Sequence, residues 1–185
     1  MATPAHGEVR ANGLPPALVL LVRVIDTISE WSGRIFAWMI VPLVVGTTYE
    51  VIVRYAFNAP TIWAYDLSYM LYGSHFMLGA GYTLLKGGHI RTDIFYQNWS
   101  PRTRGWVDAS LYLLLFFPGM IFFLWMGSQE ALHSWQIGER SDASPWRPIL
   151  YPLKMVLPVT ALLILVQGVS ELIKSLHLAL RGRSL

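Results

Sequence analysis

Four long apolar stretches dominate this 185-residue chain, and each is long enough to cross a lipid bilayer. A transmembrane helix needs about 20 mostly apolar residues, because each residue advances the helix only about 1.5 Å through a hydrocarbon layer about 30 Å thick. The predicted spans are residues 35–56, 62–85, 107–126 and 149–169. The sequence therefore predicts an all-α membrane protein with four transmembrane helices.

The composition agrees with a chain that has lipid as part of its solvent. Hydrophobic residues make up 54% of the chain and charged residues only 14%, whereas soluble domains carry about a quarter charged residues. The basic residues are dispersed, without the stripe that is typical of nucleic-acid-binding proteins. The chain has no cysteine for disulfide, iron–sulfur or thiol chemistry. We therefore expect membrane lipids, and not nucleic acid, among its partners.

Turn and cap signals separate the spans. Residues 58–61 (Asn-Ala-Pro-Thr) predict a tight hairpin, and Gly87 with Gly88 predicts the end of the second span. Ser100 followed by Pro101 predicts the N-cap and first residue of a helix that leads into the third span. The predicted domains are an N-terminal tail (1–14), a single four-helix membrane domain (15–175) and a C-terminal tail (176–185).

The distribution of basic residues orients the helices. Lysine and arginine concentrate before the first span, in the loop between the second and third spans, and in the C-terminal tail, whereas the first hairpin has none. Because basic loops remain in the cytoplasm, we expect both termini and the middle loop to be cytoplasmic. The outer interface is then marked by Trp63, Trp125 and Trp146, and the inner interface by Trp31, Trp99 and Trp106.

The segment before the first span has the pattern of an amphipathic helix. Its predicted apolar face comprises Leu18, Leu21, Val22, Ile25, Ile28 and Ser32. Its polar face comprises Arg23, Thr27, Glu30 and Arg34. We expect this helix to lie on the membrane surface. The alternative is that these residues are the first turns of a long first transmembrane helix.

Four ionisable residues lie within the predicted spans at a similar depth in the outer half of the membrane. They are Glu50, Arg54, Asp66 and Lys154. Ionisable groups are costly inside a bilayer and are therefore candidates for function. Two acids balance two bases, so the sequence favours a structural ion-pair network or a subunit interface. A proton or sodium pathway is the alternative, although it would more naturally leave one acid unpaired.

The histidines bear on whether the chain binds a cofactor. His75 lies near the middle of the second span, and the other four histidines lie outside the spans. Haem would need a second axial ligand at the same depth, so we interpret His75 as a hydrogen-bonded packing residue and expect no cofactor. A haem-binding membrane anchor of a redox enzyme is the alternative function. His89 and Asp93 share a face if their segment is helical, but no nucleophile or metal-ligand set accompanies them.

Two motifs at the ends of the second span resemble those of a known family. The first-hairpin motif follows the run from Glu50 to Arg54 and comprises Tyr55, Asn58, Pro60 and Trp63, with Asp66 after it. The inner-loop motif comprises Gly88, His89 and Asp93. Both resemble motifs of the small, DctQ-type membrane subunit of TRAP (tripartite ATP-independent periplasmic) transporters. The likeness extends over residues 35–168, and it departs from the family at Asp66, where we expect glutamate.

The resemblance implies a subunit of a sodium-coupled secondary transporter in the bacterial inner membrane, and not an enzyme. In this family a periplasmic binding protein captures a solute, typically a carboxylate or another organic anion. A large membrane subunit carries the substrate and sodium sites, and the small subunit holds it in place. Because this chain ends soon after its fourth span, we expect the large subunit to be a separate chain.

Overall fold

The computed structural model describes residues 15–88 and 98–183. Within those ranges the chain forms seven α-helices and one π-helical turn, with no strand beyond an isolated bridge. In chain order the elements are α1 (Pro16–Ala37), α2 (Ile40–Ala56), α3 (Ala64–Leu78), α4 (Ala80–Leu85), α5 (Pro101–Leu111), the π-helical turn (Tyr112–Phe116), α6 (Phe117–Gln136) and α7 (Tyr151–Arg181). The all-α prediction is confirmed for this part of the chain.

Three helical segments of the described chain are long and apolar enough to cross a membrane. They are Pro16–Ala56, Pro101–Gln136 and Tyr151–Arg181. The predicted second span is divided between α3 and α4, which meet at Gly79. Backbone hydrogen bonds continue across this junction, because Gly79 N donates to His75 O (3.2 Å) and Thr83 N donates to Gly79 O (3.0 Å). The membrane class is confirmed, whereas the count of four spans and the orientation stay predictions.

Helices α1 and α2 follow one another with only a short irregularity at Trp38 and Met39, which both keep right-handed helical dihedral angles. Helix α1 packs against α4 and α7. Its buried residues are Val22, Ile25, Ser29 and Gly33. Leu21 and Ile28, which were predicted to share the apolar face, are exposed instead. The inward face is therefore rotated from the predicted one, and the placement of α1 on the membrane surface stays a prediction.

The π-helical turn before α6 has a chemical cause in Pro118. Proline has no N–H group, and inside a helix its ring clashes with the carbonyl one turn earlier. The helix widens here, so that Phe117 N donates to Tyr112 O five residues back. Because the helix passes through this turn without ending, the predicted third span lies inside a longer continuous helix of 36 residues.

Helix α7 is the centre of the bundle and packs against α1, α3, α4, α5 and α6. Small residues make these approaches close, which is how helices associate in membranes. A Cβ atom at Gly105 of α5 would lie 2.7 Å from Ala179 Cα, and one at Gly127 of α6 would lie 3.1 Å from Leu157 Cβ. Apart from its packing on α3, helix α2 has few contacts with the bundle.

The turns follow the predicted signals. Asn58 (φ 48°) and Gly87 (φ 63°) adopt the left-handed conformation that ends α2 and α4. The Ser100 hydroxyl accepts from Thr103 N (3.2 Å), as predicted for an N-cap. The C-terminal end differs, because residues 176–181 were predicted as a tail and are helical. Burial of Ala179 against α5 extends α7 to Arg181.

Candidate functional site

The four charged residues that were predicted to form one network lie at three separate places in the structure. Glu50 and Arg54 are brought together, whereas Asp66 and Lys154 each have other partners. The single four-member network is therefore corrected. Within the described residues these groups form local ties, each joining a helix to a neighbouring loop or helix.

The first tie joins α2 to the turn before α3. Arg54 Nε donates to Glu50 Oε1 (2.8 Å), one helical turn away. The other carboxylate oxygen of Glu50 accepts from the backbone N (3.0 Å) and the hydroxyl of Thr61. Glu50 is buried, whereas the side chain of Arg54 is 52% exposed. Both carboxylate oxygens are thus occupied, which leaves Glu50 no free oxygen for a cation.

The second tie joins α3 to the loop between α6 and α7. Asp66 is 1% exposed, and its Oδ1 accepts from the Ser141 hydroxyl (2.6 Å) while its Oδ2 accepts from the Ser144 hydroxyl. Asp66 also lies in the first turn of α3, where the helix dipole favours a negative charge. The buried carboxylate is held by hydroxyl groups and a helix N-terminus. No cation pairs with it among the residues that the structure describes.

The third tie surrounds Lys154 near the start of α7. Its ammonium donates to Glu130 of α6 (2.6 Å) and to Glu139 of the loop that follows α6. Lys154 holds the pKa of the Glu139 carboxyl below its usual range. These two glutamates lie outside the predicted spans and were therefore not among the four charged residues predicted from the sequence. The structure shows that they, and not Glu50 or Asp66, balance Lys154.

A polar network between α1 and α7 was missed by sequence reasoning. Asp26 Oδ1 accepts from the Ser170 hydroxyl (2.7 Å), Lys174 Nζ (3.0 Å) and Gln167 Nε2 (3.1 Å). Gln167 Oε1 in turn accepts from the Ser29 hydroxyl (2.7 Å). Gln167 and Ser170 are fully buried. The signal that could have revealed the network is their spacing with Lys174, i, i+3, i+7, on one face of an apolar helix.

Two further contacts join α1 to α3 and to the end of α4. Lys86 Nζ donates to Glu30 Oε2 (2.7 Å), which raises the pKa of Lys86. Glu30 also accepts from Arg34 (2.9 Å). His75 Nδ1 lies 3.0 Å from the backbone oxygen of Phe36, in agreement with its predicted role as a hydrogen-bonded packing residue. Glu30, which was predicted to lie on the polar face of α1, therefore points toward the bundle, whereas Arg23, Thr27 and Arg34 are exposed.

The residues of the first-hairpin and inner-loop motifs lie in different surroundings from one another. Tyr55 is strongly exposed, and Asn58 and Pro60 are exposed in the turn after α2. Trp63 stacks on Tyr49 with 6.0 Å between ring centroids. In the inner-loop motif, Gly88 is the last described residue before the gap, whereas His89 and Asp93 lie outside the described residues.

Comparison with known families identifies the chain. A family model described as "Tripartite ATP-independent periplasmic transporters, DctQ component" matches residues 43–178, well over half of the sequence. The chain belongs to the DctQ family. The DctQ match begins within α2 and ends within α7. It therefore contains the three ties described above, but not the α1 residues of the polar network between α1 and α7, which include Asp26. A search of curated proteins found no match.

Membership of the DctQ family has direct consequences for function. It makes the chain the small component of a membrane transporter, in a family of transporter components and not of enzymes. The alternative of a haem-binding anchor is not supported by this match. Within residues 15–88 and 98–183, no group of three or more His, Cys, Asp or Glu side chains is arranged to hold a metal ion. The polar side chains of the three ties and of the network around Asp26 fasten helices and loops to one another.

Proposed function

We propose that this DctQ protein is the supporting subunit of a sodium-coupled TRAP transporter. It supports a separate, large membrane subunit in the uptake of an organic anion, most simply a carboxylate, that a periplasmic binding protein delivers. The observation that carries this proposal is the DctQ match over residues 43–178. The polar ties support it further, because they engage charged groups in holding the bundle together.

We propose a multi-pass arrangement in the bacterial inner membrane, with four spans and both termini in the cytoplasm. Helices α3 and α4 together cover 22 residues from Ala64 to Leu85, a length of about 33 Å, which is sufficient for the remaining span. Lys154 and Lys174 of α7 are 20 residues apart, or about 30 Å. This spacing supports the proposal, since it puts one ion-paired tie near each face of a bilayer.

The supporting role predicts that the chain alone transports nothing. The experiment reconstitutes the protein in liposomes alone, and then with the large membrane subunit and the binding protein from neighbouring genes. Candidate organic acids are added under a sodium gradient. Uptake is expected only with all three components, because the described part of this chain uses its polar groups for packing. Loss of uptake when potassium replaces sodium is the control, and gradient-driven uptake by this chain alone would refute the role.

The proposed topology is tested by cysteine labelling, for which the chain is suited because it contains no native cysteine. Cysteines at Asn58 and at Asp142 are expected to react with a membrane-impermeant thiol reagent added from the periplasmic side. A cysteine at Thr103 is expected to react only after the membrane is permeabilised. Ser141 is unsuitable, because its hydroxyl binds Asp66. The reverse labelling pattern would overturn the orientation.

A further inference from the structure

A cavity beside α1 is lined by more basic than acidic side chains. It has a volume of about 460 Å³ and lies between α1, the end of α4 and α7. Its charged lining residues are the bases Arg23, Arg34, Lys86 and Lys174 and the acids Asp26 and Glu30. We call it the basic cavity, because its lining has two more basic than acidic residues.

Two of the basic residues differ in how far the chain neutralises them. Lys174 is neutralised, because its ammonium is paired with Asp26 (2.8 Å) and with Glu171 (2.9 Å). The side chain of Arg23 has no ion pair or hydrogen bond with any residue that the structure describes. Arginine stays charged and has five N–H donors. Arg23 therefore brings a full positive charge and a complete set of donors to the basic cavity.

The other two basic residues share one carboxylate. Glu30 Oε1 accepts from Arg34 (2.9 Å) and Glu30 Oε2 accepts from Lys86 (2.7 Å). One carboxylate neutralises only one of the two cations, and each keeps N–H donors that it does not use on Glu30. Together with Arg23, three cations meet a single carboxylate on this side of the cavity. The arrangement is suited to a bound anion with several acceptor oxygens.

An apolar stripe runs along α1 directly beside the basic cavity. Its exposed side chains, spaced three or four residues apart, are Leu20, Val24, Ile28, Trp31, Ile35 and Trp38. Four of them directly follow a polar cavity residue of α1, at Arg23, Thr27, Glu30 and Arg34. Two such rows lie side by side on a helix. A free phosphate ion could contact only the polar row, whereas a phospholipid can contact both.

We propose that the basic cavity binds the headgroup phosphate of an anionic phospholipid, whose acyl chains lie along the apolar stripe of α1. Arg23, Arg34 and Lys86 supply the donors, and guanidinium groups bind phosphate oxygens through paired hydrogen bonds. The Arg34 guanidinium lies 5.7 Å from the ring centroid of Trp31, which is 58% exposed. Tryptophan is enriched where a protein meets lipid headgroups, and basic cavities between helices on the cytoplasmic side bind anionic headgroups.

This inference goes beyond the proposed function and does not depend on it, since it needs only that α1 meets a bilayer. The test therefore uses the purified full-length chain alone, in a neutral detergent. Phosphatidylglycerol is titrated in, and the bound lipids are counted by native mass spectrometry. Phosphatidylcholine with the same acyl chains is the matched lipid, because its choline cation offsets the phosphate charge.

Phosphatidylglycerol is expected to bind at least about fivefold more tightly than phosphatidylcholine, as follows from about 1 kcal/mol for each basic residue near an anionic headgroup. Equal affinity for the two lipids would overturn the inference. Inorganic phosphate, added at the concentration of the lipid, is expected to leave phosphatidylglycerol binding unchanged because it cannot contact the apolar stripe. Displacement of the lipid by inorganic phosphate would show a general anion site and would also overturn the inference.

A pair of variants places the lipid at the basic cavity. Arg23→Gln is expected to weaken phosphatidylglycerol binding about fivefold. Its melting temperature without lipid is expected to equal that of the wild type, because the Arg23 side chain has no partner in the described chain. The matched control is Arg102→Gln, which removes the same charge from an exposed arginine of α5 that does not line the cavity. Equal phosphatidylglycerol affinity in these two variants would overturn the inference, while the proposed function would stand.

Discussion

Gly105→Ala is expected to destabilise the bundle more than any other single-methyl substitution at a glycine of α5 or α6. A Cβ atom at this position would lie 2.7 Å from both Ala179 Cα and Ser175 O of α7. These obstacles are backbone atoms, so no side-chain rotation relieves the clash and the two helices must move apart. Overpacking of this kind costs about 3 kcal/mol. The measurement is the melting temperature in detergent, together with the yield of monodisperse protein.

The matched control is Gly119→Ala. Gly119 is a helical glycine of α6, and a Cβ atom there meets nothing within 4 Å. Because alanine favours a helix over glycine by about 0.5–1 kcal/mol, this variant is expected to be as stable as the wild type or slightly more stable. If the two variants melt at the same temperature, the close approach of α5 and α7 at Gly105 is incorrect.

Asp66→Ala is expected to release the loop between α6 and α7 from α3. The substitution leaves the hydroxyls of Ser141 and Ser144 without their acceptor. Leaving a buried polar group unsatisfied costs about 1–3 kcal/mol, so we expect a loss of about 3 kcal/mol in the free energy of unfolding. The measurements are thermal unfolding and the rate of proteolysis within residues 137–150, which is expected to rise.

Asp142→Ala is the control in the same loop. The side chain of Asp142 is 84% exposed in its ion pair with Arg147, and exposed pairs contribute about 0–1 kcal/mol. Removing the two serine hydroxyls together with the carboxylate should be milder than the single Asp66→Ala change, because no buried hydroxyl is then left without its acceptor. The N–H groups of Ala143 and Trp146, which donate to these two hydroxyls, belong to exposed residues, where water can replace the lost acceptor. Similar losses in Asp66→Ala and Asp142→Ala would contradict the buried tie.

The sequence predicted features that depend on neighbours along the chain. The hairpin at Asn58, the stop at Gly87 and the N-cap at Ser100 each follow from one or two residues whose side chains or backbone preferences act within a single turn. The pair of Glu50 and Arg54 was predictable for the same reason, since a spacing of four places both side chains on one face of a helix.

Contacts between distant segments were not predictable in this way. Asp66 and Lys154 were assigned to one network because they lie at a similar depth, but depth does not determine the direction in which a helix face points. In the structure Asp66 reaches Ser141, 75 residues along the chain, and Lys154 reaches Glu130 and Glu139. The polar loop after α6 folds back over the helix ends and supplies partners that a list of charges within spans omits.

The sequence by itself determined the membrane class, the all-helical architecture, most turns and the DctQ family, because apolar length, local caps and motifs are properties of contiguous residues. The tertiary structure alone decided which charges meet, that Asp26 joins α1 to α7, and that α7 continues to Arg181. These features depend on the rotation and close approach of helices, which small residues such as Gly105 permit. Rotation and approach are set by packing across the bundle, and no local pattern in the chain encodes them.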